Sequence, residues 1–492
     1  MDYPGPPFPP APDGIRTVAA TAAFVAYHAD QRPASVAVID GDSEITYAEF
    51  HRDLGRITAA VRQFGLHPGQ TVAIEWTAFY HHFLLVLAFE TLGVVTASFD
   101  RETIKTVQPL LKSVDLVIGS PGMAPKSAKR VHELTGKWIE AALAGKAKDN
   151  GDLVYLHPDT PVRIGHTSGT TGRTKWKAST ARNQEFWINQ CTQRSGYSRQ
   201  TRYMLHMGFA IQSIYSNSTA CLRAGGTCII AGNVSLAQAL TKYEATHVTL
   251  LPVTLMTLLD TLPEGYVKPP DLTLLMIGAP VPKAIRKRAQ DRLAVNLIDG
   301  YGTNETGPIC TMNADGTGTV LPGVRVEVVD DQDRPVMGQP GPVRIKSDGC
   351  TDGYIGDPET TARMFRDGWF YPGDRGVMED ADTLALLGRD DDILNIRGFK
   401  IAPHRIEEIL AEGLPVKDVG VTALPDPDGN NVVWVALVLD GSRKLADLEP
   451  QIIPLLPEKL GRYEIVAVKK IPRTPTGKIQ RNTLNTLLRN RG

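Results

Sequence analysis

Cysteine is scarce in this chain and scattered. Five residues, at 191, 221, 228, 310 and 350, are spread over 492 positions, and none belongs to a C-x-x-C pair. An odd number at such spacings argues against a disulfide framework and a structural zinc site, and for a reducing compartment. Bulk positive charge is missing too. The formal net charge of −1 argues against nucleic acid as a partner. No apolar run is long enough to span a bilayer. The most apolar stretch, 83–99, holds Glu90 and a Gly93-Val94-Val95 break, and falls short of the about 20 residues a span needs. It reads as a buried helix running into a strand. The first fourteen residues, MDYPGPPFPPAPDG, put Pro and Gly where a signal peptide needs a basic start and an apolar core. They read as a lead-in, and the expected location is cytoplasmic. A composition of 42% hydrophobic and 22% charged residues leaves material for a large core, and the length predicts more than one domain.

Along the chain, helical periodicity covers 17–28, and two short strands, 36–39 and 44–46, flank a turn at 40–42. Thr46 caps a helix over 47–64, with Glu49 three residues on. Apolar strands then alternate with amphipathic helices: 72–76, 80–92, 116–119, 206–223, 227–231, 236–244, 248–251 and 273–278. That rhythm predicts an α/β fold of parallel sheets covered by helices, a large domain over 15–390. Past Pro322 short strands at 324–329, 341–345 and 383–387 predict a small β-rich subdomain, about 322–388. After the charged run Arg389-Asp390-Asp391-Asp392, segments 406–411, 419–424, 432–439, 448–460 and 467–471 alternate helix and strand. They predict a small α+β C-terminal domain, 391–492.

Four motifs carry chemistry. Thr167-Ser168-Gly169-Thr170-Thr171-Gly172-Arg173-Thr174-Lys175 offers hydroxyls, amides, two glycines for close approach and a lysine charge, the inventory a polyphosphate needs. Its spacing is not that of a Walker loop. Tyr301-Gly302-Thr303-Asn304-Glu305 follows an apolar strand, 295–298. An aromatic-Gly pair can pack a nucleobase, and Glu305 is a hard oxygen ligand of the kind magnesium takes. Tyr371-Pro372-Gly373-Asp374 presents a turn-held carboxylate suited to two ribose hydroxyls, with Arg389 as a further donor. Pro472-Arg473-Thr474-Pro475-Thr476-Gly477-Lys478 fixes a loop that presents an ammonium, a stabiliser of charge developing in acyl-phosphate formation. Taken singly, each has a plainer reading: a polar turn, a strand-end turn, a solvated linker, a surface lysine.

Together and in this order, the motifs resemble the adenylate-forming superfamily of acyl- and aryl-CoA synthetases, peptide-synthetase adenylation domains and beetle luciferases. The resemblance runs from Ile45-Thr46-Tyr47-Ala48-Glu49 to Arg481. It implies ATP-dependent activation of a carboxylic acid through an acyl-adenylate, with Mg2+ and then CoA. The 167–175 loop would hold the β- and γ-phosphates. Gly278-Ala279-Pro280 and Tyr301-Gly302 would line the adenine and acyl side, Glu305 would bind magnesium, and Asp374 and Arg389 the ribose. Asp391 would be the hinge of a mobile C-terminal domain, Lys478 would contact the carboxylate and α-phosphate, and Gly398-Phe399-Lys400 would enter the cleft for thioester formation. Two positions depart from the pattern. Thr174 stands where the family usually has Pro, and Asn304 where it has Thr, its amide still able to donate to the α-phosphate.

Amino-acid-activating relatives carry an Asp in the region that here reads His206-Met207-Gly208-Phe209-Ala210-Ile211-Gln212. With no acid present, an α-amino acid is not the expected substrate. His206 would sit beside the acyl carboxylate. Met207, Gly208, Phe209, Phe186, Trp187 and Pro308 would line an apolar pocket for a hydrophobic or aromatic acid, with room left by Gly278 and Gly300. The acceptor is CoA, or else a carrier-protein thiol or an amine, since the 426–431 turn lacks the aromatic that stacks on CoA adenine in some aryl-CoA ligases. A nucleotide-binding homologue with little turnover is the contrasting reading. The oligomeric state stays open, a homodimer included.

Overall fold

The computed structural model describes residues 18–490 apart from 76–77, 102–103, 147–154, 169–173, 314, 391–393, 397–398, 402, 427–430, 442, 457–462 and 475–478. Two large sheets organise the chain up to residue 390. One has six strands, in the order Thr174–Thr180, Pro161–Ser168, Val95–Phe99, Thr71–Glu75, Leu116–Gly119 and Val131–Glu133. Its centre is parallel, and Pro161–Ser168 folds back on Thr174–Thr180 as an antiparallel hairpin at the edge. The parallel strands are apolar on both faces because helices cover both.

The second sheet has parallel strands Val36–Asp40, Thr227–Ile230, Arg202–Leu205, His247–Leu250, Thr273–Met276 and Asn296–Thr303. There it changes character. Asn296–Thr303 pairs in parallel with Thr273–Met276 through its first half and antiparallel with Gly307–Met312 through its second. The hydrogen-bond ladder then runs on through Thr317–Val320, Thr383–Arg389, Asp374–Met378, Gly341–Lys346 and Arg325–Val329. The short strands after Pro322 thus continue one sheet rather than start another.

Local sequence explains the helices. Thr46 Oγ1 accepts from the Glu49 amide at 3.2 Å and Glu49 Oε2 accepts from the Thr46 amide at 2.8 Å, the capping box that the spacing predicts for Tyr47–Arg62. Phe79–Thr91 is buried on every side. Its single acid, Glu90, accepts from the Tyr215 hydroxyl, so the charge that interrupts the apolar run is a satisfied core group.

Beyond residue 394 the hairpin Val416–Pro425 and Asn431–Leu439 carries Tyr463–Ala467 as a parallel third strand, under helices Pro403–Gly413, Leu445–Ile452 and Arg481–Arg489. Two apolar clusters, one around Ile406, Leu410, Val435 and Ile452, the other around Ala436, Ile471 and Leu488, draw only on residues from 394 onward. Two sequence expectations shift here. The strand expected at 467–471 lies at Tyr463–Ala467, and Val468 and Ile471 turn instead onto Arg481–Arg489. The helix expected over 448–460 stops at Ile452 and tightens into the 3-10 turn Ile453–Leu455, where Pro454 lacks an N–H to continue it. No helix among the described residues is long and apolar enough to cross a membrane.

Candidate active site

The expected phosphate loop is the tip of a hairpin. Ser168 faces Thr174 and Thr167 faces Lys175 across the ladder, leaving 169–173 as the connection. Gly169, Thr170, Thr171 and Gly172 lie outside the described residues. Lys175 Nζ stands 5.0 Å from the Tyr354 ring centroid, and the Tyr354 hydroxyl donates to Glu305 Oε1 at 2.8 Å. Lys175 and Glu305, 130 positions apart, thus meet across one tyrosine. Burial and the Glu305 charge push the Tyr354 phenol well above its ordinary range, so it stays a donor.

A second chain of contacts starts at Tyr301, whose hydroxyl donates to Asp374 Oδ2 at 2.5 Å. Asp374 faces Arg389 in the ladder, with Arg389 Nη1 3.6 Å from Oδ1 and Arg389 Nη2 donating to the Pro372 carbonyl at 3.0 Å. The preceding Gly373 turns the chain at a φ of 77°, which favours glycine. Between the two groups, Asn304 Nδ2 donates to the His166 carbonyl at 3.0 Å and ties the turn to the hairpin. That uses one of the two amide hydrogens assigned from sequence to the α-phosphate. Thr303 bonds Thr306 and closes the same turn.

The expected acyl side lies at the carboxyl ends of neighbouring parallel strands, where α/β sheets bind ligands. His206 follows Arg202–Leu205. Gly278-Ala279-Pro280 follows Thr273–Met276, with Gly278 at a φ of 93°. Gly300 follows Asp299, which pairs with Met276. Burial lowers the His206 imidazole pKa, which favours its neutral form.

Several expected pocket residues sit elsewhere. Phe209 is 1% exposed and packs on Phe83, Phe79, His82 and Tyr215, while its carbonyl accepts from Arg163. It is a core residue, as an apolar side chain beside four rings must be. Trp187 is also 1% exposed, and its Nε1 donates to the carbonyls of Thr306 at 2.7 Å and Gly349 at 3.1 Å. It props the Glu305 turn from behind. A methyl on Gly307 would strike this indole at 2.1 Å, so glycine is required there. Phe186 packs over Gly323 and Gly349. Met207 leans on the main core, the Gly208 carbonyl accepts from Ile211, and Pro308 pairs with Gly302 at a bulge. Beside Gly300 stands the tip of Arg194: a methyl there would lie 2.2 Å from its Nη1, so the guanidinium borders that space.

Phe399 and Lys400 lie on the strand Phe399–Ile401, paired with Leu394–Ile396. Gly398, Asp391 and Lys478 fall outside the described residues. The base of the Lys478 loop is pinned: Arg473 bridges to Ile479, the Gln480 amide donates to the Pro472 carbonyl at 2.8 Å, and Arg473 grips Asp418 with Nη2 at 2.6 Å and Nε at 3.1 Å.

One group escaped the sequence reading. Lys177 is fully buried, 4.3 Å from the Trp187 ring centroid, and its Nζ has no hydrogen-bond partner. Its signal was the period-two spacing from Lys175, which puts both lysines on one face of the strand. Desolvation pushes its ammonium down to about 7, against the field of Glu305, which raises it. Between that value and the free-lysine range the unfolded chain binds more protons than the folded one. Stability therefore rises as pH climbs from about 7 towards 10, by up to about 1.4 kcal/mol per unit. Lys177→Met should lose that rise and melt higher than the wild type at pH 7. Urea titrations of both proteins at pH 7 and 9 check this, and parallel pH dependences would refute it.

A family model for AMP-binding enzymes matches residues 25–355. This chain belongs to the AMP-binding enzyme family. It is an adenylate-forming ligase, as its motif order implies. The chain is 26% identical to a 4-chlorobenzoate–CoA ligase of an Arthrobacter species, over 94% of each chain. It is also 26% identical to the fatty acid–[acyl-carrier-protein] ligase ScoC of Streptomyces coeruleorubidus, over 96% of each. Its fold matches ATP-bound MatB from Rhodopseudomonas palustris with a TM-score of 0.83 at 22% identity, covering 95% of this chain and 99% of that one.

Proposed function

We propose that this enzyme activates a hydrophobic or aromatic carboxylic acid with ATP and passes the acyl group to the thiol of CoA. The observation that carries the reading is the convergence of Lys175, Glu305 and Asn304 on one side and Tyr301, Asp374 and Arg389 on the other. The 167–175 loop takes the β- and γ-phosphates, Asp374 and Arg389 the ribose, and Gly278-Ala279-Pro280 and Tyr301-Gly302 the adenine and acyl side. Glu305 fits a hard cation: Tyr354 occupies Oε1, and no hydrogen bond to Oε2 is found among the described residues. Mg2+ there would offset phosphate charge. Neutral His206 orients the acid.

The acid's carboxylate oxygen attacks the α-phosphorus and the bond to pyrophosphate breaks, with Lys478 neutralising the charge gathered there. The thiol sulfur then attacks the acyl carbonyl and AMP leaves. Residues 391–492 form the moving part, hinged at Asp391, that swaps Lys478 for Gly398-Phe399-Lys400 between the two steps. The substrates named for the 4-chlorobenzoate and fatty-acid relatives support the acid class. A carrier-protein thiol is the second reading of the acceptor, favoured by the ScoC relative and by the 426–431 turn without an aromatic.

A panel of acids, read by pyrophosphate release and then by AMP release on adding CoA or a phosphopantetheinyl carrier, tests both steps. Acid-dependent pyrophosphate followed by CoA-dependent AMP is expected. Tight ATP binding without pyrophosphate from any acid would overturn the reading, and AMP release with the carrier alone would move the acceptor.

A further inference from the structure

Behind the Asn304 turn, two buried polar atoms face one small space and neither has a partner. The first is Nζ of Lys177, on a side chain with no exposed surface. The second is Oε1 of Gln212, on a residue 8% exposed. The space between them exists because Gly165 lies opposite Lys177 in the hairpin. A methyl on Gly165 would stand 3.7 Å from Gln212 Oε1 and 3.9 Å from Lys177 Nζ, ordinary contact distances. Glycine at 165 therefore leaves open the room that a side chain would fill beside these two atoms.

A run of hydrogen bonds fixes which end of the Gln212 amide faces it. The Ser179 hydroxyl donates to the Arg163 carbonyl at 3.1 Å, so Ser179 Oγ must accept from Gln184 Nε2, at 2.8 Å. Gln184 then turns its oxygen towards Gln212, which donates from Nε2 at 3.2 Å. Oε1 is left aimed at the gap with no donor. Buried polar groups are rarely left unmatched, so two of them around one space point to a bound group.

That group must accept from the lysine and donate to the amide oxygen. A carboxylate has no hydrogen for Gln212, an ammonium has no lone pair for Lys177, and a methyl or halogen satisfies neither. A hydroxyl satisfies both. In the chain, the gap adjoins the expected acyl side. Gln212 ends the segment that begins at His206, and Gly165 adjoins His166, whose carbonyl holds Asn304.

We propose that this gap seats a hydroxyl of the acid substrate, close to its carboxylate, with the oxygen accepting from Lys177 Nζ and the hydrogen given to Gln212 Oε1. The proposal deepens the activation reading above and rests on it. The enzyme then selects 2- or 3-hydroxy acids over their deoxy counterparts.

Matched acids that differ only in a hydroxyl at carbon 2, at carbon 3 or at the tail test it, read as kcat/KM for pyrophosphate release. The wild type should prefer a hydroxyl near the carboxylate by about 10- to 100-fold, the worth of one hydrogen bond to a charged donor. Gly165→Ala adds a methyl beside both polar atoms and crowds the hydroxyl out, and Lys177→Met removes its donor. Each should bring the hydroxy-to-deoxy ratio close to one. The ratio is internal to each preparation, so a general loss of activity cancels. Acids turned over with no hydroxyl preference, or a preference that both variants keep, would mean the gap holds only water and would overturn the inference while sparing the activation reading. Pyrophosphate from no acid at all would sink both.

Discussion

Lys478→Ala should lower acyl-adenylate formation by about 10²- to 10³-fold, the loss typical when one preorganised donor to developing charge is removed. The reason is electrostatic. When the carboxylate attacks the α-phosphorus, two negatively charged groups are forced together, and a fixed ammonium offsets the charge on both. Fixing matters, and the base of the loop is held by the Arg473–Ile479 bridge and by the two-pronged grip of Arg473 on Asp418. The variant should fold normally, because its core groups around Ile471, Leu484 and Leu488 are untouched. It should also still transfer the acyl group from a supplied acyl-adenylate to thiol, since the proposed swap brings Gly398-Phe399-Lys400, not Lys478, to that step. Isotope exchange between pyrophosphate and ATP measures the first step, and thioester yield from synthetic adenylate the second. Exchange at the wild-type rate would remove Lys478 from the mechanism.

The second large effect is expected at Glu305. Glu305→Gln keeps an oxygen for the Tyr354 hydroxyl and keeps the side-chain volume, so the turn propped by Trp187 should survive. What is lost is a negative charge. The Mg2+ concentration for half-maximal pyrophosphate release should rise at least about tenfold, and kcat/KM at fixed Mg2+ should drop by about 10²-fold, in keeping with the several kcal/mol a bound metal contributes to such transfers. Titrating Mg2+ into both proteins decides it. An unchanged Mg2+ dependence would mean that Glu305 serves only to hold Tyr354.

Much of this architecture is legible in the residues. Strands such as Thr273–Met276 are apolar on both faces and stand out, and Thr46 with Glu49 marks a helix start through chemistry confined to four positions. Legibility fails where the deciding partner is remote. Nothing near Tyr301 announces Asp374, 73 positions on, as the acceptor of its hydroxyl. Phe209 has the same residue type whether it lines a pocket or fills a core, and only the rings of Phe79, Phe83 and Tyr215 around it settle the matter. The second arm of the hairpin, Thr174–Thr180, carries two lysines in seven residues and reads as a solvated edge. Burying one of them breaks the rule by which inside is told from outside, and such breaks gather where a protein does chemistry.

The strand Asn296–Thr303 belongs to two ladders at once, parallel on one side and antiparallel further along. Its length is therefore not adjustable. Deleting a single residue between Asp299 and Glu305 would slide one pairing against the other and reverse the side each following residue faces. Tyr301 would leave Asp374, and the Glu305 turn would leave Lys175, in the same stroke. Descendants of this enzyme are free to change side chains along that stretch, but not the number of residues in it.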